Sequence, residues 1–307
     1  MARIFLPTMA AFREDVEIMM GLLEKTVGTS EHEFGLEVIG KHSHFVGAEA
    51  AENLGKIQEN LMQIARGAHL SVHGFSGIDC YETGSADMRT ENGLNLLQTY
   101  LRLAQDIRAG YVHIHSAAGY RGDNLSLAEK RRALTQIKQN MLLAQEQSRA
   151  TCKIGIENPP CPSMGDVETN PEQIWRDHVE SLEDCLDIVR ETDLKVTLDT
   201  CHYACGKKGE INLINAAQDL GNYLTHFHIS DVQGVWVPSS ARKGGSVWTE
   251  GIIPGKGRIG ERAFADFFKH VAVSYPNGGI CVEVVNKDFK NPIESEESIK
   301  RVLNWLK

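Results

Sequence analysis

Lys153-Ile-Gly-Ile-Glu157, Lys195-Val-Thr-Leu-Asp199 and Leu224-Thr-His-Phe-His-Ile229 are short apolar runs, and each ends on or beside a side chain that can bind a metal. Runs this short, bounded by longer amphipathic stretches, read as buried parallel strands. Five more runs read the same way: Ile4–Leu6, Gly35–Ile39, Leu70–His73, Tyr111–His115 and Gly279–Val284. Stretches with helical periodicity follow them, at roughly 11–27, 48–66, 88–109, 126–149, 171–191, 211–221, 261–275 and 295–306. Ser126-Leu-Ala-Glu129 has the spacing of a capping box, and Asn170-Pro171 that of a cap followed by a first-turn proline. Gly67, Gly110 and Gly221 each follow a helical stretch, where a left-handed residue is wanted.

Strands and helices in regular alternation predict an α/β chain folded as a single (β/α)8 TIM barrel, with residues 1–307 as one domain. A doubly wound open sheet is the competing architecture. No Gly-x-Gly-x-x-Gly follows the first strand, and no Walker loop occurs anywhere. No low-complexity tract or charge block divides the chain.

Composition excludes several function classes. The 307 residues are 42% hydrophobic and 24% charged, ordinary for a globular protein. The net charge is −9, from 41 acidic and 32 basic residues. That balance disfavours nucleic acid and anionic membranes as partners, since both need a positive field. No stretch approaches the roughly 20 apolar residues of a membrane span. The apolar run Arg3-Ile-Phe-Leu-Pro7 is too short for a signal peptide and reads as a first strand. Seven cysteines, at 80, 152, 161, 185, 201, 205 and 281, form no Cys-x-x-Cys pair. They do not make a secreted disulfide framework, and a reducing cytoplasm is expected.

In a barrel the chemistry sits at the C-terminal ends of the strands. Those ends carry His73, His115, Glu157, Asp199, His228 and Glu283, the first four at successive intervals of 42 residues. Alone, each histidine is more readily a hydrogen-bonded core residue, and each carboxylate half of an ion pair. Together, three carboxylates and three imidazoles at one barrel mouth are costly without a cation. A divalent ion resolves this. Mixed nitrogen and oxygen ligation suits Zn²⁺, Mn²⁺ or Fe²⁺, and a carboxylate-rich subset suits Mg²⁺.

Val72-His73-Gly74, His115-Ser-Ala117, Ile156-Glu157-Asn158, Asp199-Thr-Cys-His202, His228-Ile-Ser-Asp231 and Val282-Glu283-Val284 occur in that order. The chain thereby resembles the xylose isomerase-like barrel superfamily, over about residues 34–284. That group includes sugar isomerases and epimerases and the endonuclease IV-type enzymes. The resemblance implies a metal held by Glu157, Asp199, His228 and Glu283. In epimerase-like members Glu157 and Glu283 also face opposite sides of a bound ketose, and His202 contacts the substrate. In endonuclease-like members His73 and His115 share Glu157 to form a second metal site, and a further Asp-x-His pair helps hold a third ion. Here the aligned Asp and His positions are Thr249 and Gly251, so the third pair is missing. The resemblance therefore favours a divalent-metal-dependent isomerase or epimerase of a small sugar-like hydroxy-ketone, with proton transfer by the paired glutamates. An endonuclease IV-like hydrolase with an incomplete metal set is the alternative, and in either case one ion is expected to be tight and a second, at His73 and His115, weak or absent. Barrels of this class often pair, which leaves a homo-oligomer open.

Two long loops, Asn158 to Thr169 and Val232 to Gly260, are expected to shape specificity. The second carries Trp236, Arg242, Lys243, Trp248, Lys256 and Arg258. Arg242 and Lys243 read as surface charges, whereas Lys256, between two glycines, is the better substrate contact. His42 and His44 could reach the mouth and Glu37 could orient the site, although surface or ion-pair roles are preferred for them. His113 and His226 read as core histidines, and Cys201 and Cys205 as packing.

Overall fold

Eight parallel strands close on themselves: β1 (Arg3–Thr8), β2 (Glu33–Val38), β3 (His69–Gly74), β4 (Tyr111–Ile114), β5 (Lys153–Glu157), β6 (Lys195–Asp199), β7 (Leu224–Ile229) and β8 (Gly279–Val282). Each pairs with its neighbour in sequence, and β8 returns to β1 with Ile4 opposite Ile280. This computed structural model describes residues 1–40, 44–74, 86–121, 125–159, 175–205, 210–234, 248–271 and 279–307. The predicted (β/α)8 barrel is the observed fold, and among the described residues no helix is long and apolar enough to cross a membrane.

The helices pack around the strands: α1 (Arg13–Thr26), α2 (Ala50–Ile64), α3 (Glu91–Asp106), α4 (Leu127–Ser148), α5 (Leu182–Val189), α6 (Thr200–Cys205), α7 (Leu213–Leu220), α8 (Glu261–His270) and α9 (Ile293–Trp305). Their buried faces, such as Leu97, Leu101 and Ala104 of α3, meet outward strand residues such as Val72, Val112 and Ile114 in one hydrophobic shell. The capping box forms as expected: the Glu129 amide donates to Ser126 Oγ at 3.2 Å, and the Ser126 amide donates to Glu129 Oε2 at 3.0 Å.

Three local expectations change. The helix expected from residue 171 starts at Leu182, capped by Ser181, because Trp175–Asp177 instead pairs antiparallel with Gly119–Arg121. Asn170-Pro171 lies outside the described residues. After α3 the left-handed residue is Arg108, with φ of 57°, whereas Gly67 and Gly221 take φ of 84° and 51° as expected. Asp231–Gly234 and Trp248–Ile252 form a second small antiparallel ribbon above the mouth.

Side chains two apart on a strand share the barrel interior, one layer apart. Hence His113 lies beneath His115, His226 beneath His228, and Thr197 beneath Asp199. Gly279 makes room in the lower layer: a Cβ there would sit 2.5 Å from His226 Cε1 and 2.5 Å from Phe5 Cε2.

Candidate metal centre

His73 and His228 are the next-to-last residues of β3 and β7, Glu157 and Asp199 are the last of β5 and β6, and His115 and Glu283 directly follow β4 and β8. One ligand atom each from Glu157, Asp199, His228 and Glu283 fall within 4.8 Å of one another. His228 Nδ1 is 3.1 Å from Glu157 Oε2 and 3.1 Å from Glu283 Oε2. Atoms that share an ion at about 2.0–2.2 Å stand roughly 3–3.5 Å apart, so these spacings suit one cation. Glu157 Oε1 and His228 Nδ1 are buried and have no hydrogen-bond partner among the described residues. Orphaned polar atoms in so buried a place are expensive, and a cation between them removes the cost.

The remaining histidines crowd the same carboxylate. His73 Nε2 is hydrogen-bonded to Glu157 Oε2 at 2.9 Å, and His115 Nε2 stands 3.6 Å from it. His115, Glu157 and His202 form a further group that could hold an ion.

Electrostatics follow from this crowding. Burial favours neutral His228, but Glu157, Glu37 and Glu283 outweigh it and raise its pKa well above the ordinary value. Burial also raises the Asp199 carboxyl, to about 7, with Glu157 and Glu283 adding to the shift against His202. Burial lowers His115 to about 4 despite Glu157, which leaves a neutral imidazole, the form that ligates metals.

Local backbone geometry explains the Asp-x-x-His spacing. Asp199 sits at the start of α6, and its Oδ1 accepts the His202 amide at 2.6 Å, as a cap does. Asn158 clamps the Asp199 backbone from β5, accepting its amide at 2.9 Å and donating to its carbonyl at 3.0 Å. His202 Nδ1 then lies 2.9 Å from the Asn158 carbonyl oxygen and 3.1 Å from Glu157 Oε1.

Above these groups is a cavity of about 410 Å³ whose wall includes His73, His115, Asp199, His202, Glu250 and Glu283. Its described lining contains no lysine or arginine. Glu157 is fully buried and absent from that wall, whereas the Glu283 side chain is 32% exposed.

The sequence matches the family described as xylose isomerase-like TIM barrel over residues 32–307. The chain belongs to that family. No curated protein matches it in sequence. Among solved structures, 3-keto-D-glucoside 4-epimerase from E. coli is 13% identical, with a TM-score of 0.59 over 100% of this chain and 99% of that one. Endonuclease IV from Thermus thermophilus is 16% identical, with a TM-score of 0.60 over 99% and 98% of the two chains. D-allulose 3-epimerase from Methylomonas sp., in complex with D-allulose, is 12% identical, with a TM-score of 0.60 over 99% and 96%. At such identities the likeness shows the xylose isomerase-like fold alone.

Within that fold, several expected site residues take other places. Lys256 is absent from the cavity wall, and its ammonium pairs with Glu297 at 2.7 Å. The cause is Asp231, which is wholly buried and accepts backbone N–H groups from Gly255, Gly257, Ile259 and Gly260, as well as from Val232. Gly255 and Gly257 wrap that carboxylate: a Cβ on Gly257 would lie 2.6 Å from Asp231 Oδ1. Arg258 donates to the Ala204 carbonyl at 2.9 Å and so braces α6. Gly251, at the expected third-metal position, has φ of 73° and would place a Cβ 2.6 Å from Val285 Cγ2, so any side chain there would be strained.

His44 packs edge-on against Phe12 and is not part of the cavity wall, and His42, Trp236, Arg242, Lys243 and the loop 160–174 lie outside the described residues. Cys201 and Cys205 are buried with sulfurs 4.0 Å apart. Glu250 was not singled out from sequence. Its Oε2 stands 3.6 Å from His202 Nε2, a contact between the ribbon and α6 that no local pattern announces.

Proposed function

We propose that this chain is a divalent-metal-dependent isomerase or epimerase of a small sugar-like hydroxy-ketone. The observation that carries this reading is the convergence of Glu157, Asp199, His228 and Glu283 beneath a cavity whose wall sets Asp199, Glu283, His73, His115 and His202 against apolar Met9, Met19, Ile39 and Phe289. These four residues would hold the ion, which would polarise a substrate carbonyl and stabilise the negative charge that develops beside it. Zn²⁺, Mn²⁺ and Fe²⁺ suit the mixed donors, and Mg²⁺ suits the carboxylates.

The chain's own groups supply proton transfer and orientation. Glu283 reaches the cavity and is placed to remove a proton from the carbon beside the carbonyl. Glu157, the expected partner in proton transfer, does not reach the cavity; His202, 3.1 Å from its Oε1, lines the wall, so Glu157 would act on a proton only through His202. His202, His73 and His115 offer hydrogen bonds to substrate hydroxyls. The epimerases of similar fold, one of them holding D-allulose, support a sugar-like substrate.

A metal-dependent phosphodiesterase remains the second reading. It is favoured by the further ion-binding group at His115, Glu157 and His202, and by the structural likeness to endonuclease IV. Incubation with ketoses in D₂O separates the two. Deuterium incorporated beside the carbonyl, and lost in Glu283→Gln, is expected. Cleavage of an abasic DNA duplex with no exchange into any sugar would reverse the preference.

A further inference from the structure

Beneath the mouth lies a second polar layer that the proton chemistry does not use. Glu37, His113 and His226 are each 0% exposed. Glu37 is a carboxylate with an imidazole against each oxygen: His228 Nε2 is 3.0 Å from Oε1, and His226 Nε2 is 3.0 Å from Oε2. Ser71 Oγ also donates to Oε2 at 2.8 Å, and His113 Nε2 stands 3.6 Å away. The other nitrogen of His228, Nδ1, faces Glu157 and Glu283. This one imidazole therefore spans both layers, with Nε2 against the inner carboxylate and Nδ1 at the candidate metal centre.

A neutral imidazole carries one N–H and one lone pair, and its second partner decides which nitrogen is which. Once Nδ1 gives its lone pair to an ion shared with Glu157 and Glu283, the one N–H must be on Nε2, where the Glu37 carboxylate stands to accept it and fix the ring. We propose that Glu37 is a positioning residue that holds His228 with Nε2 protonated and Nδ1 turned toward the shared ion. This rests on the metal centre proposed above.

An inner ion of its own is the competing use of the same cluster, since ligand atoms of Glu37, His113 and His226 also fall within 4.8 Å of one another. Ring geometry opposes it. His113 and His226 stack with centroids 3.9 Å apart and planes 29° apart. Their in-plane lone pairs therefore run side by side rather than converging on a point. His113 Nδ1 is also engaged by Thr197 Oγ1 at 2.6 Å. Gly155 leaves room for that contact, because a Cβ there would stand 3.1 Å from Thr197 Oγ1.

Glu37→Gln tests the assignment, because glutamine keeps the shape and one acceptor oxygen but turns an N–H₂ group toward one imidazole. Zn²⁺ affinity, read by competition with a chromophoric chelator, is expected to fall about 10–100-fold, the usual cost of losing such an outer partner. The visible spectrum of the Co²⁺-loaded variant is expected to shift, while the ion-free variant melts near the wild type. A folded Glu37→Gln protein with wild-type Zn²⁺ affinity and an unchanged Co²⁺ spectrum would overturn the role of Glu37. If the variant does not fold, imidazole ¹⁵N NMR of the zinc-loaded wild type decides: a proton on His228 Nε2 supports the role, and one on Nδ1 overturns it. Two ions per chain, one of them lost in His113→Ala, would replace it with an inner metal site. A wild type that takes up no Zn²⁺ or Co²⁺ would instead remove the metal centre itself, and the role of Glu37 with it.

Discussion

Along β7, and along β4 and the residue that follows it, a histidine recurs two residues on, His226 with His228 and His113 with His115, so each sets one imidazole at the mouth and one a layer beneath. The rings are chemically identical, but their surroundings are not. At the mouth, His228 lies among carboxylates whose charges outweigh burial, and its pKa is raised well above the ordinary value. Below, burial prevails and lowers both His113 and His226, even with Glu37 alongside. Depth alone does not decide this: His115, also at the mouth, is lowered by burial to about 4 despite Glu157, so what sets His228 apart is the set of carboxylates around it, Glu157, Glu37 and Glu283.

The largest effect expected from this division lies at the mouth. Glu283→Gln should lower deuterium exchange into substrate by about 10²–10⁴-fold, the usual worth of a positioned acid or base. Asp199→Asn should do likewise and also reduce the metal content found by elemental analysis. Both variants should fold, since Glu283 is partly exposed and asparagine can still accept the His202 amide. If Glu37→Gln proved as damaging to turnover as Glu283→Gln, the two layers would not differ in kind.

Much of this arrangement was legible in the sequence. The strands announce themselves as short apolar runs, and their C-terminal ends need no tertiary information, so the six mouth residues follow directly. Depth was harder to read. Glu37 lies inside an apolar run, between Leu36 and Val38, and only the inward parity it shares with Gly35 hints that it faces the barrel rather than solvent. Contacts distant in sequence left no local trace. Trp175–Asp177 reads as the start of a helix until Gly119–Arg121 pairs with it. Asp231 mirrors Asp199 in spacing from its histidine, yet its oxygens are occupied by five backbone N–H groups of its own loop. That choice turns Lys256 away from the cavity, and composition cannot distinguish the two aspartates.

A smaller effect is expected in the lower layer. Gly279→Ala would drive a methyl group into His226 and Phe5, both buried. Overpacking of this sort costs about 1–3 kcal/mol, measurable as a lower midpoint in urea unfolding. The folded fraction should still bind Zn²⁺, because His226 is not among the four ligands. A Gly279→Ala protein as stable as the wild type would show slack around His226, and a scaffold role for that layer would lose its support.

The smallest effect is expected within the mouth itself. His73 and His115 both approach Glu157 Oε2, at 2.9 Å and 3.6 Å, yet neither is among the four residues that converge around His228 Nδ1 and Asp199. Position 251 is a glycine and carries no imidazole for a third metal pair, so an extended cluster of ions lacks one support. Both rings line the cavity, where they can serve substrate hydroxyls. His73→Ala and His115→Ala should each reduce turnover by about tenfold, the worth of one hydrogen bond, and leave one tight ion per chain. Titration of the ion-free protein with Zn²⁺ or Mn²⁺ reads this directly. Two equally tight ions in the wild type, with one abolished in either variant, would make the mouth dinuclear. Two-metal hydrolysis would then become the better account of the same six side chains.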